Sequence, residues 1–180
     1  MRLPGPGGSA FDESADNDAE ALASTLRVGE CFARRVTFDA DSIRHFATLC
    51  GDHNPLHHDE RAAAASGFDT LIASGPHVVA LMMGLDATFL AQRDDALGLG
   101  FEFRFVKAVP AGTELTLEWT IAGMEYKPSL GGDIVSVEGR AVNDAGTVFV
   151  TATGRNLVRR RNRKGREPGT QGPSAAYPIL

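Results

Sequence analysis

Residues 78–90 constrain the fold more than any other stretch of this chain. Val78, Val79, Ala80, Leu81, Met82, Met83, Leu85, Phe89 and Leu90 leave almost no polar face. Gly75-Pro76 opens the run, with proline in a first helical turn, where its missing N–H does no harm. A helix that is apolar all round has to be buried all round, so a second layer must wrap it. The run is too short to cross a bilayer.

The wrapping layer follows in the chain. Phe101, Phe103 and Phe105 alternate with Glu102 and Arg104, and Leu115, Leu117, Trp119 and Ile121 alternate with Thr116, Glu118 and Thr120. Val135, Val137 and Ala141 repeat the pattern, and a last strand is expected over residues 147–158. Period two with one apolar face marks antiparallel strands over a core. Asn143-Asp144-Ala145-Gly146 supplies a hairpin turn between the last two. Residues 31–37 add an earlier strand. The expected fold is therefore α+β, a curved antiparallel sheet of about five strands around one long helix.

Upstream, Ile43, Phe46, Ala47 and Cys50 recur at helical spacing, which predicts a short helix over residues 39–50, capped by Asp39 or Thr37. Gly51 gives it a left-handed stop. Pro55 holds Asn54 extended and removes a backbone donor, so the helix cannot resume. Asp52 and His57 thus fall on one constrained loop, five residues apart. Either alone would be an ordinary turn residue. Together they can aim a carboxylate and an imidazole at one point, the minimum needed to move protons on and off a substrate. Asp59 then caps an alanine-rich helix that Gly67 ends, and Cys50 is expected as a small filler at its own helix end.

At 180 residues the chain suits one domain with a real core, placed at residues 26–158. Residues 1–25 read as a disordered arm, and residues 159–180 as a basic, then Gly/Pro-rich tail that is solvated rather than phosphate-bound. A net charge of -5 gives no reason to expect nucleic acid as a partner. Two cysteines and no basic-plus-apolar leader lead to the expectation of free thiols in the cytoplasm, away from membranes. His53 and His57 are separated by Pro55 and no further cluster completes a tetrahedral set, so no metal is expected. His45, His53 and His58 are expected to be exposed. No Gly-rich phosphate loop follows a strand, so no redox cofactor is implied.

Gly51, Asp52, Asn54, Pro55, Leu56 and His57 fill every fixed position of the pattern G-D-x-N-P-[LIV]-H. The chain thereby resembles the MaoC-like, (R)-specific enoyl-CoA hydratases, and residues 72–83 resemble the entry to that family's central helix. The likeness covers residues 26–158 and implies the hot-dog fold. It makes Asp52 and His57 the catalytic pair that holds and activates water, leaving open which of them takes its proton. Asn54, with Gly51 and Pro55, would organise the loop. Gly75 would present its N–H to the thioester oxygen. The family's usual neighbours there are His before and Met after; here they are Ser74 and Pro76. Pro76 has no N–H to offer, and the amide of His77 is the next candidate. Met83 stands where some hydratases carry a serine.

The implied reaction is reversible hydration of 2-enoyl thioesters of coenzyme A or an acyl carrier protein to (R)-3-hydroxyacyl thioesters, without a cofactor. The implied assembly is a homodimer or a larger even oligomer. The rival readings are a thioesterase on the same fold and a non-catalytic domain for thioester binding or subunit assembly.

Overall fold

β1 (Cys31–Phe38) runs straight into α1 (Ala40–Leu49), and Asp39 is the cap: its carboxylate accepts the Ser42 N–H at 2.8 Å. The computed structural model describes residues 25–161, so residues 1–24 of the expected arm and nearly all of the tail lie outside the described residues. A single 3-10 turn, Pro55–His57, precedes the short α2 (Glu60–Ala65). The long helix α3 spans Gly75–Ala91. Four strands follow: β2 (Asp95–Phe105), β3 (Thr113–Lys127), β4 (Gly132–Val142) and β5 (Val148–Arg159). The sheet order is β1-β3-β4-β5-β2, antiparallel throughout. This is the hot-dog arrangement of sheet and helix.

The period-two reading of the strands holds where they face α3. Leu115, Leu117, Trp119 and Ile121 of β3 are wholly buried, and the Trp119 indole donates its N–H to the Met82 carbonyl of α3 at 2.9 Å. Phe101 and Phe103 meet the same indole edge-on, at centroid distances of 5.9 and 6.2 Å. A methyl at Gly139 would run into the Trp119 ring, and one at Gly154 into Phe101. Those two glycines leave room for the aromatic layer that separates helix from sheet.

Four expectations are corrected. First, α3 is not buried all round. A sheet that curves over a helix covers only one side of it, and Ala80, Gly84, Ala87 and Met83 (38% exposed) lie on the uncovered side. Second, β2 starts at Asp95, well before Phe101, because Gly98 and Gly100 flank a break in register that interrupts the alternation. Phe105 ends that strand 55% exposed, outside the core. Third, Cys50 is exposed rather than a core filler. Fourth, the basic tail begins as part of the domain. Arg161 donates to the Ala91 and Asp94 carbonyls and to Asp95, placing a cation where the C-terminal end of α3 is negative.

The apolar reading of α3 also passed over Asp86, which is 1% exposed. Burial raises its pKa from 3.8 to about 6, and the Asn156 carboxamide pulls the other way. Neither Asp86 Oδ1 nor Asn156 Nδ2 has a hydrogen-bond partner among the described residues, so burial dominates. The folded protein thus keeps a proton between 3.8 and about 6 that the unfolded chain has already lost. Stability contributed by this site is complete below that window and falls as pH rises through it. Asp86→Asn removes the titration while keeping the shape. Urea denaturation should find the variant more stable than the wild type by on the order of 2–3 kcal/mol above pH ~7, with the gap closing toward pH ~4. Equal stability at both pH values would show that Asp86 ionises without penalty.

Candidate active site

The loop after α1 is built by local backbone bonds at Gly51 and Asn54-Pro55. Gly51 sits at φ +74, where the Asp52 N–H reaches the Ala47 carbonyl at 2.8 Å and the Gly51 N–H reaches that of Thr48 at 3.1 Å. Asn54 stays extended before Pro55, and its side-chain oxygen accepts the Leu56 N–H at 3.2 Å. The Asn54 N–H in turn donates to Asp52 Oδ1 at 3.1 Å. Asn54 therefore braces the loop from both directions.

His58 adds a brace that the sequence did not signal. It is half-buried rather than exposed, and its Nε2 lies 2.7 Å from the Asp52 carbonyl. A carbonyl only accepts, so Nε2 carries the proton. Two adjacent histidines leave the 3-10 turn in different directions, and composition cannot tell which one reaches inward.

His57 is the inward one, with 6% exposure. Its Nδ1 lies 2.7 Å from the carbonyl of Ile72, which fixes the proton on Nδ1. The other ring nitrogen, Nε2, is 3.4 Å from Asp52 Oδ2. With the proton of that tautomer on Nδ1, Nε2 turns its lone pair toward the Asp52 carboxylate.

Ile72 ties this pair to the start of α3. Its N–H donates to the Leu56 carbonyl at 3.2 Å, and Ala73 is held to Val109 at 2.8 Å. Three residues beyond Ile72, Gly75 opens the helix. Its N–H has no partner among the described residues, and it stands at the positive end of a 17-residue helix. The fallback donor is ruled out: the His77 N–H is taken by the Ser74 carbonyl at 3.1 Å. The His77 ring is buried, stacked on Phe46 at 4.5 Å and edge-on to Phe38 at 5.2 Å. Burial lowers its pKa against a small upward pull from Asp39. Met83 points away from the core on the uncovered side of α3.

A cleft of about 470 Å³ adjoins Gly75, with Ala73, Pro76 and Val78 on one wall and Phe105, Val106 and Lys107 on the other. Asp52 and His57 do not line it. The Ile72–Gly75 segment thus joins the two features: Ile72 holds the His57 ring, and Gly75 lines the mainly apolar cleft.

The fold is that of the hot-dog hydratases and dehydratases. The chain belongs to the MaoC-like dehydratase family, whose domain model matches residues 27–141. It is 31% identical over 130 residues to the (R)-specific enoyl-CoA hydratase of Aeromonas caviae, covering 72% of this chain and 92% of that one. A UPF0336 protein of Streptomyces avermitilis, a name that carries no reaction, is 34% identical over 127 residues (66% of this chain, 82% of the relative). Among solved structures, the MaoC-like dehydratase of Rhodospirillum rubrum superposes with a TM-score of 0.66 at 34% identity, covering 76% of this chain and 94% of that one.

Proposed function

We propose that this protein hydrates 2-enoyl thioesters reversibly to (R)-3-hydroxyacyl thioesters. One observation carries the reading: the Ile72 carbonyl fixes the His57 tautomer and turns a bare Nε2 toward Asp52 Oδ2, 3.4 Å away. A water seated at the open side of the pair, in reach of both atoms, directs one hydrogen to each group. His57 Nε2 takes a proton as the water oxygen bonds to the β-carbon, and the second hydrogen, held by Asp52, stays on that oxygen as the new hydroxyl. The electron pair of the double bond shifts toward the thioester oxygen beside the Gly75 N–H. Nε2 then returns its proton to the α-carbon on the same face, so the addition is syn, and no cofactor enters. The family and the hydratase of Aeromonas caviae support this chemistry.

The test is an absorbance assay with crotonyl-CoA and longer 2-enoyl-CoAs that follows loss of the conjugated double bond, with thiol release read in parallel. Loss of conjugation without thiol release is expected. Thiol release alone would make the protein a thioesterase, and neither signal across the series would leave a binding domain.

The same reading includes a second copy of the chain. Of the two sheet edges, β1 exposes Arg34 and Arg35, whereas β2 exposes Leu97, Leu99 and Phe105 along with Asp95, Glu102 and Arg104. An edge strand with exposed apolar side chains and unpaired backbone groups invites another strand. Light scattering at micromolar concentration should give a dimer or a larger even assembly, and Leu99→Lys should shift it toward monomer. A wild-type monomer would sink this assignment.

A further inference from the structure

Ser74 is the N-cap of α3. A serine there ordinarily turns its hydroxyl onto the N–H of the second or third helical residue. Here the second residue is Pro76, which has no N–H, and the third, His77, gives its N–H to the backbone carbonyl of Ser74 at 3.1 Å. The Ser74 hydroxyl is left over. The residue is 2% exposed, and its Oγ has no hydrogen-bond partner among the described residues. A buried hydroxyl without a partner is destabilising, so its retention calls for a reason. The next residue, Gly75, has an unpartnered N–H of its own. Two adjacent donors therefore stand idle at the positive end of α3.

We propose that Ser74 is a further catalytic residue of the hydration reaction proposed above. Its Oγ–H donates to the thioester oxygen beside the Gly75 N–H, and so supplies the second oxyanion donor that Pro76 cannot. The hydroxyl keeps its proton throughout. It stabilises negative charge on the thioester oxygen while water adds at the β-carbon, and that charge returns to carbon when the α-position is protonated. In the free chain Oγ is closed off and Ser74 does not line the cleft beside Gly75, so the proposal requires a neighbouring group to give way on substrate entry, and Phe105 is the group assigned. Its ring lies against the Gly75 backbone, is half exposed, and ends an edge strand.

The test compares wild type, Ser74→Ala and Ser74→Thr in the full chain, with kinetics on crotonyl-CoA and thermal midpoints. It adds the affinity for butyryl-CoA, which has the thioester oxygen, and for the thioether S-butyl-CoA, which lacks it. Ser74→Ala should lose about 10²-fold in kcat. Its thermal midpoint should stay level or rise, because an unpartnered buried hydroxyl has gone. Butyryl-CoA should bind about 5–10-fold more weakly with S-butyl-CoA unaffected, and Ser74→Thr should restore most of both losses. A structural duty, such as holding a buried water against the equally unpartnered Nδ1 of His77, gives the reverse. The midpoint would then fall while kcat and the two affinities hold, and that result overturns the proposal, as does an equal loss of both ligands. The affinity comparison needs no turnover. A wild type that hydrates nothing, yet loses carbonyl-specific binding on Ser74→Ala, would refute the hydratase reading and with it the catalytic role of Ser74, while upholding its hydroxyl as the donor to the thioester oxygen.

Discussion

Asp52→Ala and His57→Ala should each lower kcat on crotonyl-CoA by about 10²–10⁴-fold, and the double variant should be little worse than either. Both groups are asked to handle one water, so losing either loses the arrangement. The isosteric change Asp52→Asn is the more searching case. Oδ1 accepts the Asn54 N–H at 3.1 Å, so an asparagine would keep its oxygen there and turn its NH₂ toward His57 Nε2. That NH₂ would donate to the bare nitrogen and occupy the lone pair meant for water. Asp52→Asn should therefore be about as inactive as Asp52→Ala, although it preserves shape. Near-normal turnover in both alanine variants, on every enoyl thioester the wild type accepts, would remove the pair from the mechanism.

The loop that carries this pair was legible in the sequence because each of its instructions is local. Gly51 stops a helix through its own φ, Pro55 forbids an amide bond, and the Asn54 side chain reaches two residues along. None of these depends on where the rest of the chain goes. The strands facing α3 were legible for a similar reason, since period two is written along each strand. What could not be read were relations between distant segments. The His57 tautomer is set by the carbonyl of Ile72, fifteen residues away, and backbone carbonyls have no sequence signature. Asp86 sits in a run whose mean character is apolar, and its neighbour Asn156 lies on the last strand. The uncovered side of α3 was missed because an apolar helix surface does not say whether its own sheet or a second chain covers it. At Ser74 the ordinary N-cap bond is prevented by Pro76 and the His77 amide together.

Gly75→Ala should keep the fold and lose about 10²-fold or more in kcat. Gly75 is not among the glycines with positive φ, so its backbone conformation is open to alanine, and alanine is the better helix former. The thermal midpoint should therefore hold or rise. The reason for glycine here is space: an added Cβ would lie 2.7 Å from Phe105 Cζ and 3.1 and 3.2 Å from its flanking ring carbons. The ring is half exposed and can turn away, so the clash does not threaten the core. The methyl, however, stays beside the N–H that is to meet the thioester oxygen, and losing one such donor costs roughly 3–4 kcal/mol where it has been measured. Two causes of a lost rate can then be separated. If the displaced Phe105 ring blocks the cleft, adding Phe105→Ala to Gly75→Ala should restore turnover. If the methyl itself holds the carbonyl off the N–H, the double variant should stay slow while free CoA, which has no thioester oxygen, binds both proteins as it binds the wild type. The second outcome is expected. A Gly75→Ala protein that folds normally and hydrates crotonyl-CoA at the wild-type rate would reduce Gly75 to a helix start and leave the oxyanion without the backbone donor assigned to it.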